Sequence, residues 1–317
     1  MVDLETRDGF ENYGATAYFD SNYKLTQIYY AAEKKNVTSK QPVDWSHAKW
    51  VYKCSAISGV TLKDHLVGLH FMASNFLAAA EAEHLGAHHP IRRMLRPFTY
   101  GTVGINLGAI ATLAVENGLL HRASAFTWSS LQEGFKKSFD LNRFTGTMSQ
   151  YLKGNNMFLE ATSKTASKNY PFGQDGLAFE KVVMEFVSKY VNLYYTTDQD
   201  IFDDRELVEF WDGLRGNVEG SHISELNGKQ AVIGALGLFI VHVTGYHNQA
   251  GNVADYLVNP TFASPKIRKG RNVADVQATF QGLNIGLMTA SEYLLFVCLN
   301  FFCFFVVEFR SQRRDAA

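Results

Sequence analysis

Residues 48–76 read AKWVYKCSAISGVTLKDHLVGLHFMASNF and place two histidines, His65 and His70, five positions apart in a stretch without proline. Each residue of an α-helix turns the chain by about 100°, so side chains five positions apart point about 140° away from each other. The two imidazoles can face one metal ion only if the helix contains a wider turn, which a π-bulge supplies. Two interpretations stay open at this point: a metal site on a π-helical turn, or two core histidines bonded to backbone carbonyls.

A second apolar stretch, residues 230–250, reads QAVIGALGLFIVHVTGYHNQA and predicts a central buried helix, because its residues are apolar nearly all round. It carries His247, and an unpaired imidazole is costly in such surroundings. Asn252 follows five residues later, so the spacing of His65 and His70 recurs here. Neutral imidazole binds iron, zinc or copper, so the ligand type does not select the metal.

The remaining chain is organised mainly into helices. Residues 14–31 alternate apolar and polar side chains around Asp20-Ser21-Asn22, which predicts a β-hairpin. Helices are predicted for residues 177–195 and 276–295 from their apolar periodicity. A helix start is predicted at Thr61-Leu62-Lys63-Asp64, which resembles a capping box. Further helix starts are predicted at the prolines Pro90 and Pro97 and at the aspartates Asp203 and Asp204.

The composition is that of a globular protein and excludes several functions. Hydrophobic residues make up 46% of the 317 residues, and the formal net charge of -1 gives no field that would attract nucleic acid. The three cysteines form neither a metal motif nor a disulfide framework, and the polar N-terminus lacks a signal-peptide pattern. A cytoplasmic location is therefore expected. The sequence has no G-x-S-x-G elbow and no phosphate-binding glycine loop.

The last 25 residues, 293–317, differ from the rest of the chain. They begin with YLLFVCLNFFCFFVV at 293–307 and continue with several arginines. This run of fifteen residues, in which only Asn300 is polar, falls short of the roughly 20 that cross a bilayer, so a buried helix, a foreign terminus and a membrane anchor remain as alternatives. The sequence thus predicts one domain over 1–292, followed by an atypical hydrophobic and basic tail over 293–317.

Four segments together resemble the catalytic domain of the lipoxygenase family. Residues 48–106 share its Trp/Ala/Lys entry, His-x4-His, His-Pro and Ile-Asn; residues 170–211 share its Tyr-Pro, Asp-Gly-Leu and Tyr-Tyr pattern. VTGYH at 243–247 matches a third motif, and residues 277–292 a weaker fourth. The resemblance implies a mainly α fold, a helical catalytic domain around two long central helices with the small β-hairpin near its N-terminus.

The same resemblance implies one non-haem iron per chain. His65 and His70 match the family's first pair of iron ligands, and His247 matches the third histidine. Gly251 stands where the family often has Asn or His, so Asn252 is a shifted candidate for the fourth ligand. His89 matches the His-Pro histidine and is expected to fix a turn between helices.

The activity implied is that of a dioxygenase that inserts O2 into the 1,4-pentadiene of a polyunsaturated fatty acid and gives a hydroperoxide. Ala109 falls near the family's stereocontrol position, where alanine accompanies an S-configured product. The apolar helices offer Phe71, Leu77 and Ile105 as substrate-channel walls, with core packing as the alternative for each. A hydroperoxide isomerase on the same scaffold is a close variant.

Several departures from the family pattern favour a second hypothesis. The family's terminal isoleucine, whose carboxylate binds iron, and its N-terminal lipid-binding β-barrel have no counterpart in this chain, so a short form is expected. The alternative function is therefore that of a catalytically impaired relative or fragment that binds lipid. Peripheral membrane contact is also considered, through a basic cluster that could meet an anionic surface; it comprises Lys266, Arg268, Lys269 and Arg271.

Overall fold

A three-stranded antiparallel sheet lies near the N-terminus of the computed structural model, which describes residues 3–12, 14–139, 147–154, 170–216 and 223–276. Its strands are β1 (Ala15–Phe19), β2 (Leu25–Tyr30) and β3 (Lys35–Thr38), in the order β1-β2-β3. The predicted hairpin is confirmed as β1 and β2. The third strand was not predicted, because its four residues, Lys-Asn-Val-Thr, show no clear apolar alternation.

The turn of the hairpin is closed by an aspartate. Oδ1 of Asp20 accepts hydrogen bonds from the backbone N–H groups of Asn22 and Lys24, at 2.9 and 3.0 Å. An aspartate that bonds the backbone two residues ahead is a common means of forming a tight turn. The polar Asp20-Ser21-Asn22 segment therefore reverses the chain as its composition predicts.

A continuous helical rod follows the sheet. It consists of α1 (Pro42–Gly59), a π-helix π1 (Val60–Ser74) and α2 (Asn75–His84). The N–H of Val60 is bonded to carbonyls of the preceding turn, so the chain is already helical when it enters π1. The predicted helix start at Thr61 is therefore wrong: the backbone donors that a capping box would satisfy are taken by the helix itself.

Eight helices of the described residues, between 5 and 24 residues long, follow the rod and precede the second long helical stretch. Pro90 begins one of them as predicted, whereas Pro97 lies inside the same helix and not at a start. In chain order these helices are α3 (Pro90–Thr99), α4 (Thr102–Thr112), α5 (Leu119–Ala123), α6 (Trp128–Ser138), α7 (Met148–Gly154), α8 (Pro171–Tyr194), α9 (Asp198–Asp203) and α10 (Arg205–Gly216).

The second long helical stretch carries the predicted apolar segment. It is formed by α11 (Lys229–Val241), a second π-helix π2 (His242–Tyr246), α12 (His247–Gly251) and α13 (Val253–Leu257). The run from Lys229 to Leu257 is long and apolar enough to cross a membrane, a criterion that core helices of soluble proteins also meet. The helix predicted for 276–295 and the tail 293–317 fall beyond residue 276, outside the described residues.

The main hydrophobic core lies between the two long helical stretches, and α8 packs along α11. Leu77 of α2, Val187 of α8 and Trp211 of α10 are fully buried in it. Burying large apolar side chains supplies the dominant favourable free energy of folding. The core thus fixes the two stretches that carry the three candidate histidines.

A polar clasp joins three of the surrounding helices. His89, at the N-cap of α3, accepts the N–H of Ile91 at Nδ1 and donates from Nε2 to Oδ2 of Asp204 at 2.9 Å. The hydroxyl of Tyr195 donates to the same carboxylate oxygen at 2.6 Å, and Oδ1 of Asp204 accepts the N–H of Leu207 at 3.1 Å. The clasp fits the turn-fixing role expected for His89 and the capping role predicted for Asp204.

Helix α4 is unusual because its apolar side chains face outward. Val103, Ile105, Leu107 and Ile110 are all exposed, and the buried residue of the helix is polar Asn106, at 2% exposure. Burial of apolar side chains therefore does not hold α4 to the rest of the described structure. The side chain of α4 that reaches the interior is the amide of Asn106.

Candidate metal centre

Three histidines from the two long helical stretches meet at one point. The Nε2 atom of His70 lies 2.9 Å from that of His247 and 3.2 Å from that of His65, and the His65–His247 separation is also 3.2 Å. The three ring centroids are 4.8 Å apart in every pair. Each imidazole thus directs the same ring nitrogen toward a common centre.

The π-helical backbone explains how residues five positions apart can face that centre. His65 and His70 both lie in π1, where the hydrogen bonds join residues five apart and the turn is wider than in an α-helix. A similar bond occurs at the end of π2, where the N–H of His247 contacts the carbonyl of His242, five residues earlier. The wide turn that the His65–His70 spacing required is therefore confirmed.

The three imidazoles are neutral at physiological pH. Burial, followed by the neighbouring His70 and His247, lowers the pKa of His65 to about 3. Burial also lowers the pKa of His70 and of His247 from their ordinary values, against opposing hydrogen bonds from Asn106 and Asn248 respectively. A neutral imidazole keeps one nitrogen lone pair free, and that is the form that binds a metal.

The separations between the nitrogen atoms fit one shared metal ion. Nitrogens about 2.1 Å from an ion are about 3.0 Å apart when they subtend right angles, and about 3.4 Å apart at tetrahedral angles. The observed 2.9 Å is close to the right-angled value, and the two separations of 3.2 Å fall midway between the two arrangements. Among the described residues this cluster contains three histidines and no carboxylate, so the donors are all imidazoles.

His70 has a partner on the side away from the centre. Its Nδ1 atom lies 2.8 Å from Oδ1 of Asn106. The Nδ2 atom of the same asparagine donates to the His70 carbonyl at 2.8 Å. Asn106 further contacts Oδ1 of Asn75 at 2.7 Å. The sequence placed Asn106 within the Ile-Asn motif but assigned it no role.

An open cleft of about 520 Å³ gives access to the three histidines, and Asn248, Gly251 and Asn252 complete its lining. Asn252 ends α12, and its amide donates to a carboxylate oxygen of Asp255. Asn252 therefore lies at the edge of the cleft with its side chain engaged elsewhere, and its role as a fourth ligand stays a prediction.

The candidate channel residues occupy three different environments. Leu77 is fully buried and packs in the main core, which fits the alternative of core packing, and its channel role stays a prediction. Phe71 is partly buried in π1 beside His70, and Ile105 is exposed on α4. Ala109 is partly buried one helical turn beyond Ile105. None of these four lines the cleft beside the histidines within the described residues.

Comparison with known proteins identifies the family. A sequence model of the lipoxygenase family matches residues 19–264, which is most of the chain. The chain belongs to the lipoxygenase family. Lipoxygenases normally bind non-haem iron, and the three histidines of this lipoxygenase chain could hold such an ion.

Individual relatives are similar at modest identity. The chain is 25% identical over 206 residues to linoleate 9/13-lipoxygenase of Pseudomonas aeruginosa, covering 64% of this chain and 29% of that protein. It is 28% identical over 239 residues to the chloroplastic linoleate 13S-lipoxygenase 2-1 of Solanum tuberosum, covering 68% and 26%. The lipoxygenase chain thus spans less than a third of these relatives' length.

The fold agrees with that of solved lipoxygenase structures. The anaerobic crystal structure of a delta413-417:GS LOX in complex with arachidonate superposes with a TM-score of 0.72 at 15% identity. The match covers 86% of this chain and 44% of that chain. The expected mainly α catalytic domain is therefore confirmed, with the sheet of three strands in place of the predicted hairpin.

Proposed function

We propose that this lipoxygenase chain is part of a non-haem iron dioxygenase that inserts O2 into a polyunsaturated fatty acid to give a hydroperoxide. Its iron would be held by His65, His70 and His247. The observation that carries the proposal is the approach of their three Nε2 atoms to within 3.2 Å of one another, from segments separated by about 180 residues. The family assignment supplies the reaction class.

The residues of the chain would contribute ligand geometry and a controlled environment. Bound iron supplies one-electron and O2 chemistry, which amino-acid side chains do not provide. The neutral imidazoles of His65, His70 and His247 would hold the ion through their Nε2 atoms, and the cleft beside them would leave room for other ligands. The contact of 2.8 Å between Asn106 Oδ1 and His70 Nδ1 would hold one of those imidazoles in place before a metal binds.

The substrate class follows from the relatives and from α4. The relatives named above are linoleate lipoxygenases, and the structural neighbour holds arachidonate. Ile105 and Ala109 flank Asn106 along α4, which adjoins His70. We therefore propose that the acyl chain lies beside α4 and that Ala109 governs the configuration of the oxygenated carbon.

The first experiment is a measurement of iron per chain in the purified protein. Wild type and His88→Ala, a variant of an exposed histidine outside the cluster, are expected to bind close to one iron. The variant His247→Ala is expected to lose at least tenfold in iron retention, since one of three ligands is removed. Oxygen uptake and conjugated-diene formation with linoleate and arachidonate then test the reaction. Absence of iron from folded wild type would contradict the proposal.

The cleft supports a second candidate function, that of a catalytically impaired relative that binds lipid. Within the described residues, the donors beside the three histidines are amides, and the amide of Asn252 is bonded to Asp255. A binding assay with oleate, which lacks the 1,4-diene, distinguishes the two. Saturable oleate binding by a chain that retains no iron would favour this second function.

A further inference from the structure

Asn106 is the most thoroughly bonded polar side chain near the three histidines. It is 2% exposed, and both ends of its amide contact the helical rod. Oδ1 lies 2.8 Å from Nδ1 of His70, and Nδ2 lies 2.8 Å from the His70 carbonyl and 2.7 Å from Oδ1 of Asn75. A buried amide with these partners is fully satisfied on the side that faces π1.

The contacts fix which way round the amide sits. A backbone carbonyl only accepts hydrogen bonds, so the Asn106 atom that faces the His70 carbonyl must be the donor Nδ2. Oδ1 then faces the His70 ring, and because Oδ1 only accepts, Nδ1 of His70 must carry the proton. The lone pair of His70 is therefore on Nε2, the nitrogen that points at His65 and His247.

We infer that Asn106 is a positioning residue that selects the metal-binding tautomer and ring orientation of His70. The inference rests on the proposed iron site, since it assigns a purpose to the His70 tautomer at that site. Partners of this kind hold ligand imidazoles in place, and their loss commonly weakens metal binding by about 10- to 100-fold.

The choice of an amide in place of a carboxylate has a consequence of its own. A carboxylate at position 106 would accept the same hydrogen bond from Nδ1 but would add negative charge and make the imidazole a stronger donor to the metal. It would also lose the two hydrogen bonds that Nδ2 donates to His70 and Asn75. Asn106 therefore orients His70 and raises its basicity less than a carboxylate at the same position would.

The contact also ties α4 to the metal centre. Asn106 is the buried residue of α4, while the neighbouring apolar side chains are exposed. A shift of α4 along or about its axis would have to stretch the Oδ1–Nδ1 contact with His70, because no other side chain of the helix is anchored as deeply.

Cobalt(II) titration of the full chain, followed by visible absorption, tests the inference. Asn106→Leu removes the acceptor at similar volume and is expected to weaken cobalt binding by about 10- to 100-fold. Asn106→Asp keeps the acceptor and is expected to bind within a few-fold of wild type. The matched control Asn75→Ala breaks the other hydrogen bond of the same amide and is expected to leave the cobalt affinity near that of wild type.

A second measurement does not depend on any position-106 variant folding. In the metal-free wild-type chain with ¹⁵N-labelled histidine, the His70 ring is expected to be protonated at Nδ1, with its signals assigned by comparison with His70→Gln. Protonation at Nε2 would overturn the inference. Equal cobalt affinities for wild type and Asn106→Leu would overturn it while leaving the proposed iron site standing. A wild-type chain that bound no metal would remove the proposed site and the positioning role with it.

Discussion

The backbone of Gly251 lies directly against the imidazole of His65. A Cβ atom built on Gly251 would be 2.8 Å from Nε2 of His65, closer than Cβ atoms approach other atoms in real proteins. Position 251 is one α-helical turn past His247, so it faces the same side of α12 as that histidine. The absence of a side chain at Gly251 is what lets α12 come this close to His65.

Gly251→Ala is therefore expected to displace His65 and lower metal affinity at least tenfold, with little loss of helix content. Metal titration and circular dichroism check both parts. Gly234→Ala is the matched control, because it places the same methyl group on the same helical stretch where nothing lies within 4 Å. Alanine is the better helix former, so this control should bind metal normally and be slightly more stable. Normal metal binding by Gly251→Ala would contradict the expected displacement.

The clasp around Asp204 predicts a pH-dependent stability. Burial raises the pKa of this carboxyl, but hydrogen bonds from Tyr195, Leu207 and His89 outweigh it and hold the pKa below its ordinary value. A carboxyl with a lowered folded-state pKa adds stability above about pH 4, and this is lost as the pH falls through the folded value. Asp204→Asn should cost about 2 kcal/mol at pH 7.

Urea denaturation at several pH values measures this effect. The gap between wild type and Asp204→Asn should narrow progressively below pH 4, roughly the ordinary carboxyl pKa. Asp203→Asn, at an exposed neighbouring carboxylate, is the control and should differ little from wild type at either end of the range. A difference in unfolding free energy that stayed constant down to acid pH would show that the charge of Asp204 does not stabilise the clasp.

Substitutions of Leu77 and Ile105 compare a buried core position with an exposed position that is proposed to contact the substrate. Leu77→Ala is expected to destabilise the chain by about 2–5 kcal/mol, because it leaves a cavity in the main core. Ile105→Ala, at a side chain that is 41% exposed, should change stability by less than about 0.5 kcal/mol. If the acyl chain lies beside α4, Ile105→Ala should instead alter the apparent KM for linoleate. An unstable Ile105→Ala beside a stable Leu77→Ala would reverse this assignment.

The proposed stereocontrol by Ala109 is tested by the product. Wild type is expected to give mainly the S hydroperoxide, and Ala109→Gly a larger share of the R product, because the smaller residue opens the other face to oxygen. Chiral chromatography of the reduced products measures the ratio. Unchanged ratios would separate Ala109 from stereocontrol.

Much of the metal centre could be predicted because His65 and His70 conflict with an α-helical pattern. Five positions do not match a 3.6-residue turn, so two histidines that face one metal ion require a π-helix, and the structure contains one. The prediction of a helix start at Thr61, in contrast, was wrong. A Ser/Thr with an acidic residue three positions later resembles a helix start, yet the sequence pattern cannot reveal that α1 has already supplied the preceding turn.

The surroundings of the histidines were harder to predict, because they depend on contacts between distant segments. Asn252 repeats the five-residue spacing after His247, but this segment is an α-helix that ends at Gly251. Asn106 is 36 residues from His70, and no local spacing rule links them. Leu77 and Ile105 are both apolar helix residues, and only the folded structure shows that Leu77 is buried in the core while Ile105 is exposed.

The fifteen π-helical residues of Val60–Ser74 also limit which insertions and deletions this part of the sequence can accept. Within a helix of ordinary pitch a histidine pair is spaced by four, so a deletion between His65 and His70 would restore a common spacing. The same deletion would rotate every later residue of the rod, including Asn75, about its axis. The four intervening residues, 66–69, are all buried, so natural relatives should keep both their packing and their number.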